Sequence, residues 1–193
     1  MPRRAGFTMI ELLVVIGVIA LLLAITFPAY VSIRRSQRIK RTQQVVDTLG
    51  AAAAAYANDY GMYPPAEYGT ETANWGNRSL VTLLNARGGR SWPYLPSAFY
   101  NDRQEIDGPL FLDEWDHPFI YFDSSAMAEG TSHTYTIEGN PAVSPIRGDD
   151  GYYNFGRCQI WSVGPNGQND GGLGLHTKEA DDIANFTLET SDD

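Results

Sequence analysis

Four sets of side chains in this chain are of types that do chemistry. The richest in oxygen is the run Gly164-Pro165-Asn166-Gly167-Gln168-Asn169-Asp170, followed further on by Asp181-Asp182. A hard cation such as Ca²⁺ takes about six to eight oxygens from carboxylates, amides and backbone carbonyls on a flexible loop. This run supplies such oxygens, and its glycines let carbonyls converge. The same composition also suits a solvated turn whose Asn and Gly residues adopt left-handed backbone. Asp113, Glu114 and Asp116 form a second set. Paired carboxylates hydrolyse glycosides, but with Trp115 and Pro118 beside them these read as a turn and a contact between copies. His117, His133, His176 and Cys158 form a third set, spaced too widely for any zinc motif. Cys158, in a β-rich run, reads as a small buried apolar residue. The fourth is a single acid, Glu11, inside an apolar stretch. No phosphate-binding glycine loop or Gly-x-Ser-x-Gly elbow is present, and nothing points to a Ser–His–Asp triad. The aromatics Trp75, Trp92, Tyr94, Phe99 and Tyr100 offer faces for a sugar or a partner, with packing as their commoner fate.

The elements that must position these groups belong to a chain of 193 residues, 43% hydrophobic and 19% charged, which suits one folded domain and excludes wholesale disorder. One cysteine excludes an internal disulfide framework. The net charge of −9 hides a polar arrangement. Residues 1–41 hold seven basic side chains and one acid, for +6, whereas residues 42–193 hold seven basic side chains and 22 acids, for −15. An acidic body repels phosphate backbones, so no nucleic-acid partner is expected. The basic cluster Arg34–Arg41, just after an apolar run, suits anionic lipid headgroups.

That apolar run, Met9–Phe27, is 19 residues interrupted only by Glu11, Gly17 and Thr26. As a helix it would extend roughly 28 Å, near the thickness of a bilayer's hydrocarbon core. A cleavable secretory signal and a plain anchor both fit the apolar character, and both fit Glu11 badly, since a charge at mid-bilayer costs about 3 kcal/mol or more. A carboxylate near a helix end can also snorkel to the surface.

Read as a unit, Arg3-Arg4-Ala5-Gly6-Phe7-Thr8-Met9-Ile10-Glu11-Leu12 resembles the leader of type IV pilin-like proteins: a basic leader, Gly, Phe, then Glu at the fifth place of the mature chain. The resemblance implies that a membrane-embedded prepilin peptidase cuts after Gly6 and that the new amine, on Phe7, is methylated. It also implies that Glu11 pairs with the Phe7 amine of a neighbouring subunit during assembly. Physically, such a cut places a cation at the membrane edge, about one helical turn from Glu11, and a buried carboxylate favours an opposite charge. Related filaments melt the helix between a glycine and a proline, which here implies an extensible stretch from Gly17 to Pro28. A static kink at Pro28 is the alternative.

Helical character continues beyond the span. Val46, Leu49, Ala53, Tyr56 and Tyr60 recur at steps of three and four, predicting an apolar stripe that packs inward. Gly61 and Pro64-Pro65 predict the stop. The expected organisation is a leader at 1–6, a helix at 7–60 whose transmembrane part is about 9–28, and a head outside the cytoplasm at 61–193. Within the head, Leu80–Leu84 predicts a short helix. Asp113–Phe122 reads as a turn entering a strand, and Thr134–Ile137 and Cys158–Val163 read as strands. The fold class is therefore α+β, with a small antiparallel sheet packed on the amphipathic half of a long N-terminal helix.

Within the superfamily the chain is similar to the major pseudopilin of type II secretion systems. That branch carries Tyr-Pro after the long helix, then Asp-Pro-Trp-Gly-Asn-Pro-Tyr, then Tyr-Ser-Leu-Gly-Ala-Asp-Gly, then Ala-Asp-Ile. The counterparts are Tyr63-Pro64, Asp113–Phe119, Trp161–Gly167 and Asp181-Asp182-Ile183, with a longer segment after Tyr68 and an insertion at 142–153. The resemblance implies Ca²⁺ held by Asn166 and Asp182; Asn166 keeps the oxygen but lacks the charge, so affinity should fall unless Asp170 or Asp181 compensates, and Ser162 is a further candidate ligand. It implies a structural rather than enzymatic subunit in the inner membrane. Expected partners are copies of itself, other pseudopilins, the prepilin peptidase, the assembly platform and lipid. A minor pseudopilin, a true type IV pilin, and a tethered enzyme or carbohydrate-binding module are the alternatives.

Overall fold

A computed structural model describes residues 8–67, 73–85, 93–95, 110–128, 133–137, 142–148, 150–171 and 181–186. The chain divides into two compact units, Met1–Arg38 and Ile39–Asp193. The boundary falls within one continuous helix, α1, Met9–Tyr60, 52 residues long. The helix runs without a break through the Gly17–Pro28 stretch.

In the first unit, α1 exposes apolar side chains on every side: Ile10, Leu12, Leu13, Ile19, Leu21, Leu22, Ile25 and Phe27 all stand open. A helix that is apolar all round belongs in lipid or among other helices. This one is long and apolar enough to cross a membrane.

In the second unit the same helix becomes one wall of a core. Val46, Leu49 and Ala53 are buried, as the stripe predicts. Tyr56 is half-buried, and Tyr60 departs from the expected inner face: it is exposed and packs its ring, tilted by 31°, against Tyr56, with centroids 4.4 Å apart. Tyr60 is the last helical residue, and the chain turns away at Gly61, whose φ of 75° is the left-handed conformation that ends helices at a glycine. The Gly61 N–H closes the end by donating to Ala57 O at 2.8 Å.

Helix α2, Trp75–Asn85, extends the expected Leu80–Leu84 helix toward its N-terminus. It buries Leu80, Val81, Leu83 and Leu84. A buried amide fixes it in place: Asn77 Nδ2 donates to Phe111 O (2.8 Å) and Phe119 O (3.0 Å), and its Oδ1 accepts from Phe111 N (2.8 Å). Next comes the central sheet, with strand order β1 (Ile120–Phe122), β4 (Gln159–Ser162), β5 (Ile183–Ala184), all antiparallel. The pairing sets Tyr121 against Ile160 and Trp161 against Ala184. Every residue of β1 and β4 is buried, so these strands carry no in–out alternation. A short 3-10 helix, Ser124–Met127, follows β1 and is capped by Asp123, whose side chain also accepts from Ala66 N at 2.9 Å.

The expected Thr134–Ile137 strand reduces to one bridge, Tyr135 with Val143. The next carbonyl in line, Thr136 O, accepts from Asn74 N instead (2.8 Å), and the Tyr135 hydroxyl bonds to the backbone of Tyr121. The 142–153 insertion carries a hairpin of its own, β2 (Arg147–Gly148) with β3 (Gly151–Tyr152). Buried Gln159 ties it to the sheet by exchanging two bonds with the Ile146 backbone and donating to Tyr153 O.

Candidate functional site

At the start of α1 the structure places Glu11 opposite Thr8. Thr8 N and Thr8 Oγ1 both donate to Glu11 Oε2, at 2.9 and 2.7 Å, and Glu11 N donates back to Thr8 Oγ1 at 3.3 Å. This is a capping box: a threonine and a glutamate three residues apart satisfy each other's first-turn N–H groups. Both Thr8 donors converge on Oε2. Gly6 and Phe7 lie outside the described residues.

The oxygen-rich loop folds as its glycines require. Gly164 and Gly167 have φ of 64° and 70°. A Cβ on Gly164 would stand 2.2 Å from Asp181 O, so only glycine permits the two segments to approach. Across that contact, carboxylate oxygens of Asp170, Asp181 and Asp182 lie within 4.8 Å of one another. Asp182 is buried and the other two half-buried. Backbone and amide donors hold the group: Asp170 N bonds to Asp182 Oδ2 (3.0 Å), Asn166 N to Asp181 Oδ2 (3.2 Å), and Asn166 Nδ2 to Asp170 Oδ2 (3.0 Å). Asn166 Oδ1 accepts from Gln168 N at 2.7 Å. Trp161 Nε1 steadies the far side through Asn169 Oδ1 at 3.0 Å.

Three of the five residues named for the cation thus bring their carboxylates together; Asn166 meets them through its Nδ2, while its Oδ1 accepts from Gln168 N. Ser162 does not join them. Its hydroxyl donates to Asp113 Oδ2 at 2.6 Å and accepts from Gly164 N at 3.0 Å, within the turn beneath the loop. That turn was legible as a turn, but its main work lies in Asp113, a buried carboxylate. Asp113 Oδ1 accepts from Trp115 N (2.8 Å) and His117 N (2.9 Å) while Oδ2 holds Ser162. His117 Nδ1 lies 3.0 Å from Gly164 O, so the ring donates there when Nδ1 carries the proton. The Ser162 hydroxyl is directed at Asp113 and not at His117, an order unlike a nucleophilic triad. An aspartate accepting from the N–H two residues on is an ordinary turn signal, as is Thr-x-x-Glu before an apolar run at a helix start. Both could have been read from the residues.

The remaining candidates disperse. His133 pairs with Glu67, His117 sits under the loop, and Cys158 is buried just before β4, where burial pushes its thiol up to about 12. His176, Trp92, Phe99 and Tyr100 lie outside the described residues, while Trp75 and Tyr94 pack half-buried against the core. Among the described residues no histidine or cysteine joins a metal-ligating group.

Comparison with known proteins bears on the N-terminal part. Residues 1–27 match the prokaryotic N-terminal methylation motif. The chain is 34% identical over 87 residues to the prepilin peptidase-dependent protein D of Escherichia coli (strain K12). That similarity covers 45% of this chain and 55% of the relative's length. No solved structure matches significantly. The methylation motif, the long apolar helix and the small antiparallel sheets occur together in one chain, and these findings support its resemblance to type IV pilin-like proteins.

Proposed function

We propose that this chain is the structural subunit of a pilus-like filament, of the kind formed by the major pseudopilin of type II secretion systems. In this reading prepilin peptidase cuts after Gly6 and Phe7 is methylated. The helix holds the subunit in the inner membrane, with the head outside the cytoplasm. An assembly platform then draws the helix into a filament alongside other copies. The observation that supports it is an exposed apolar span at the start of α1, with a single acid in its first turn, lying within the methylation motif. Stripping that much apolar surface from lipid requires an equally apolar destination, and a bundle of like helices supplies one. A minor pseudopilin or a true pilin would share the processing and differ in copy number along the filament.

The amino terminus of protein purified from its native host tests the reading. Its mass is expected to begin at Phe7 and to carry one added methyl group. A chain that still begins at Met1 would overturn the proposal.

The loop is proposed to take Ca²⁺ through the carboxylates of Asp170, Asp181 and Asp182. The donor set fits a hard cation: three carboxylates converge where like charges repel. Bound there, the ion would supply positive charge that ties the 164–171 loop to 181–182. At a concentration about 100 times its Kd it adds about 2.7 kcal/mol, or roughly 5–10 °C in the head's Tm. Calcium titration of the purified chain by thermal melting checks this. The gain is expected in the wild type and absent in Asp182→Ala, whatever that variant's baseline.

A further inference from the structure

Just beyond the apolar span, α1 presents a row of exposed cations. Tyr30, Arg34 and Arg38 stand at steps of four along α1, with Arg35 on the adjoining row, and all four are exposed. The Arg34 guanidinium lies over the Tyr30 ring, 4.8 Å from its centroid. From Leu12 to Val46 the sequence holds no acid, so no carboxylate of the neighbouring turns neutralises this row. Arg41, a little further on, is already paired with Glu114 at 3.7 Å and is not counted with them.

We infer that Arg34, Arg35 and Arg38, with Tyr30, form a docking surface for anionic phospholipid headgroups, which sets how deep the helix sits. Three physical points support that occupant. Tyr30 follows Phe27 by three residues, where aromatic side chains sit at the membrane–water boundary. The three arginines start about 10 Å beyond Phe27 along the axis, and helical side chains lean back toward the N-terminus. That lean carries the cations toward the headgroup layer, and Arg34 over Tyr30 is a direct instance of it. Third, the row is continuous with the exposed apolar surface of the span, so lipid that covers one reaches the other. The guanidinium fork matches phosphate oxygens.

The inference rests on the membrane-anchored part of the proposed function, and the test separates the two. Full-length protein is reconstituted in phosphatidylcholine vesicles containing a minority of phosphatidylglycerol. Its preference for spin-labelled phosphatidylglycerol over spin-labelled phosphatidylcholine is then measured. Flotation with the vesicles is expected, with a severalfold preference for the anionic lipid, since a cation near the surface contributes about fivefold. The preference should weaken as salt rises. The triple variant Arg34→Gln/Arg35→Gln/Arg38→Gln should still float and show a preference near unity. Wild type that floats without preference, or a triple variant that keeps it, overturns the inference and leaves the anchor standing. A triple variant that keeps the lipid preference but loses self-association overturns it in favour of the acidic body of a second copy. Wild type that fails to float overturns the membrane anchor itself.

Discussion

Asp113→Ala is expected to lower the stability of the head by about 3 kcal/mol or more, with Asp113→Asn far milder. Three donors point at this carboxylate: the Trp115 and His117 N–H groups on Oδ1 and the Ser162 hydroxyl on Oδ2. Alanine leaves all three without their acceptor, and each buried orphan costs about 1–3 kcal/mol. It also releases Ser162, which accepts from Gly164 N, so the damage extends to the base of the oxygen-rich loop. Asparagine keeps Oδ1 for the two backbone donors, and the Ser162 hydroxyl can rotate to accept from the new amide. For a chain of this size the alanine variant should melt roughly 6–12 °C lower. Thermal or urea denaturation of both variants checks the ordering.

The same residue predicts an unusual pH dependence. Burial raises the Asp113 carboxyl above its ordinary 3.8; the Ser162 hydroxyl and the backbone N–H groups of His117 and Trp115 oppose the shift without cancelling it. A carboxyl raised in the folded state contributes fully below its unfolded value, and the contribution is lost as pH rises through the folded value. Wild type should therefore gain on Asp113→Asn as pH falls from neutral toward 4. Paired surface carboxylates act in the opposite direction. Comparing the two proteins at each pH isolates this one group.

The parts of this fold that were legible in the residues share a physical cause, a period or a breaker strong enough to act locally. Val46, Leu49 and Ala53 are buried because a stripe at steps of three and four can face only one way. Gly61 ends α1 because glycine accepts its positive φ without strain. Gly164 and Gly167 turn the loop because glycine accepts their positive φ, and Gly164 leaves room for Asp181 O to approach. What escaped depends on contacts distant in sequence. Thr134–Ile137 has strand composition, yet Thr136 O is taken by Asn74, some sixty positions earlier, and the ladder stops after one pair. Asn77 lies ahead of the expected Leu80–Leu84 helix, and its partners, Phe111 and Phe119, are distant in sequence. Ser162 occupies a position matching the cation-binding branch, but its hydroxyl belongs to Asp113. Tyr60 has the right phase for the inner stripe and falls where α1 ends, so it stays exposed and packs against the Tyr56 ring.

Glu11→Ala and Glu11→Gln are both expected to abolish incorporation into filaments while leaving the melting of the head unchanged. The capping box gives Glu11 a second reason to exist, and the pair of variants separates it from the charge. Glutamine serves as well as glutamate at this helix position, so Glu11→Gln keeps an acceptor for the two Thr8 donors and loses only the negative charge. If that charge pairs with a neighbour's Phe7 amine in the dry interior of a helical bundle, removing it leaves an uncompensated cation at a cost of about 3–5 kcal/mol. Assembly should then fall by two to four orders of magnitude, since about 1.4 kcal/mol is a factor of ten. Thr8→Ala is the complement. It removes the cap, at about 1 kcal/mol of helix stability, keeps the charge, and should still assemble. Filament yield after shearing, normalised to membrane-held subunit, measures all three. Glu11→Gln filaments at wild-type yield would reduce Glu11 to a helix cap and end the pairing model. Loss in both Glu11 variants with retention in Thr8→Ala assigns the residue to the contact between subunits.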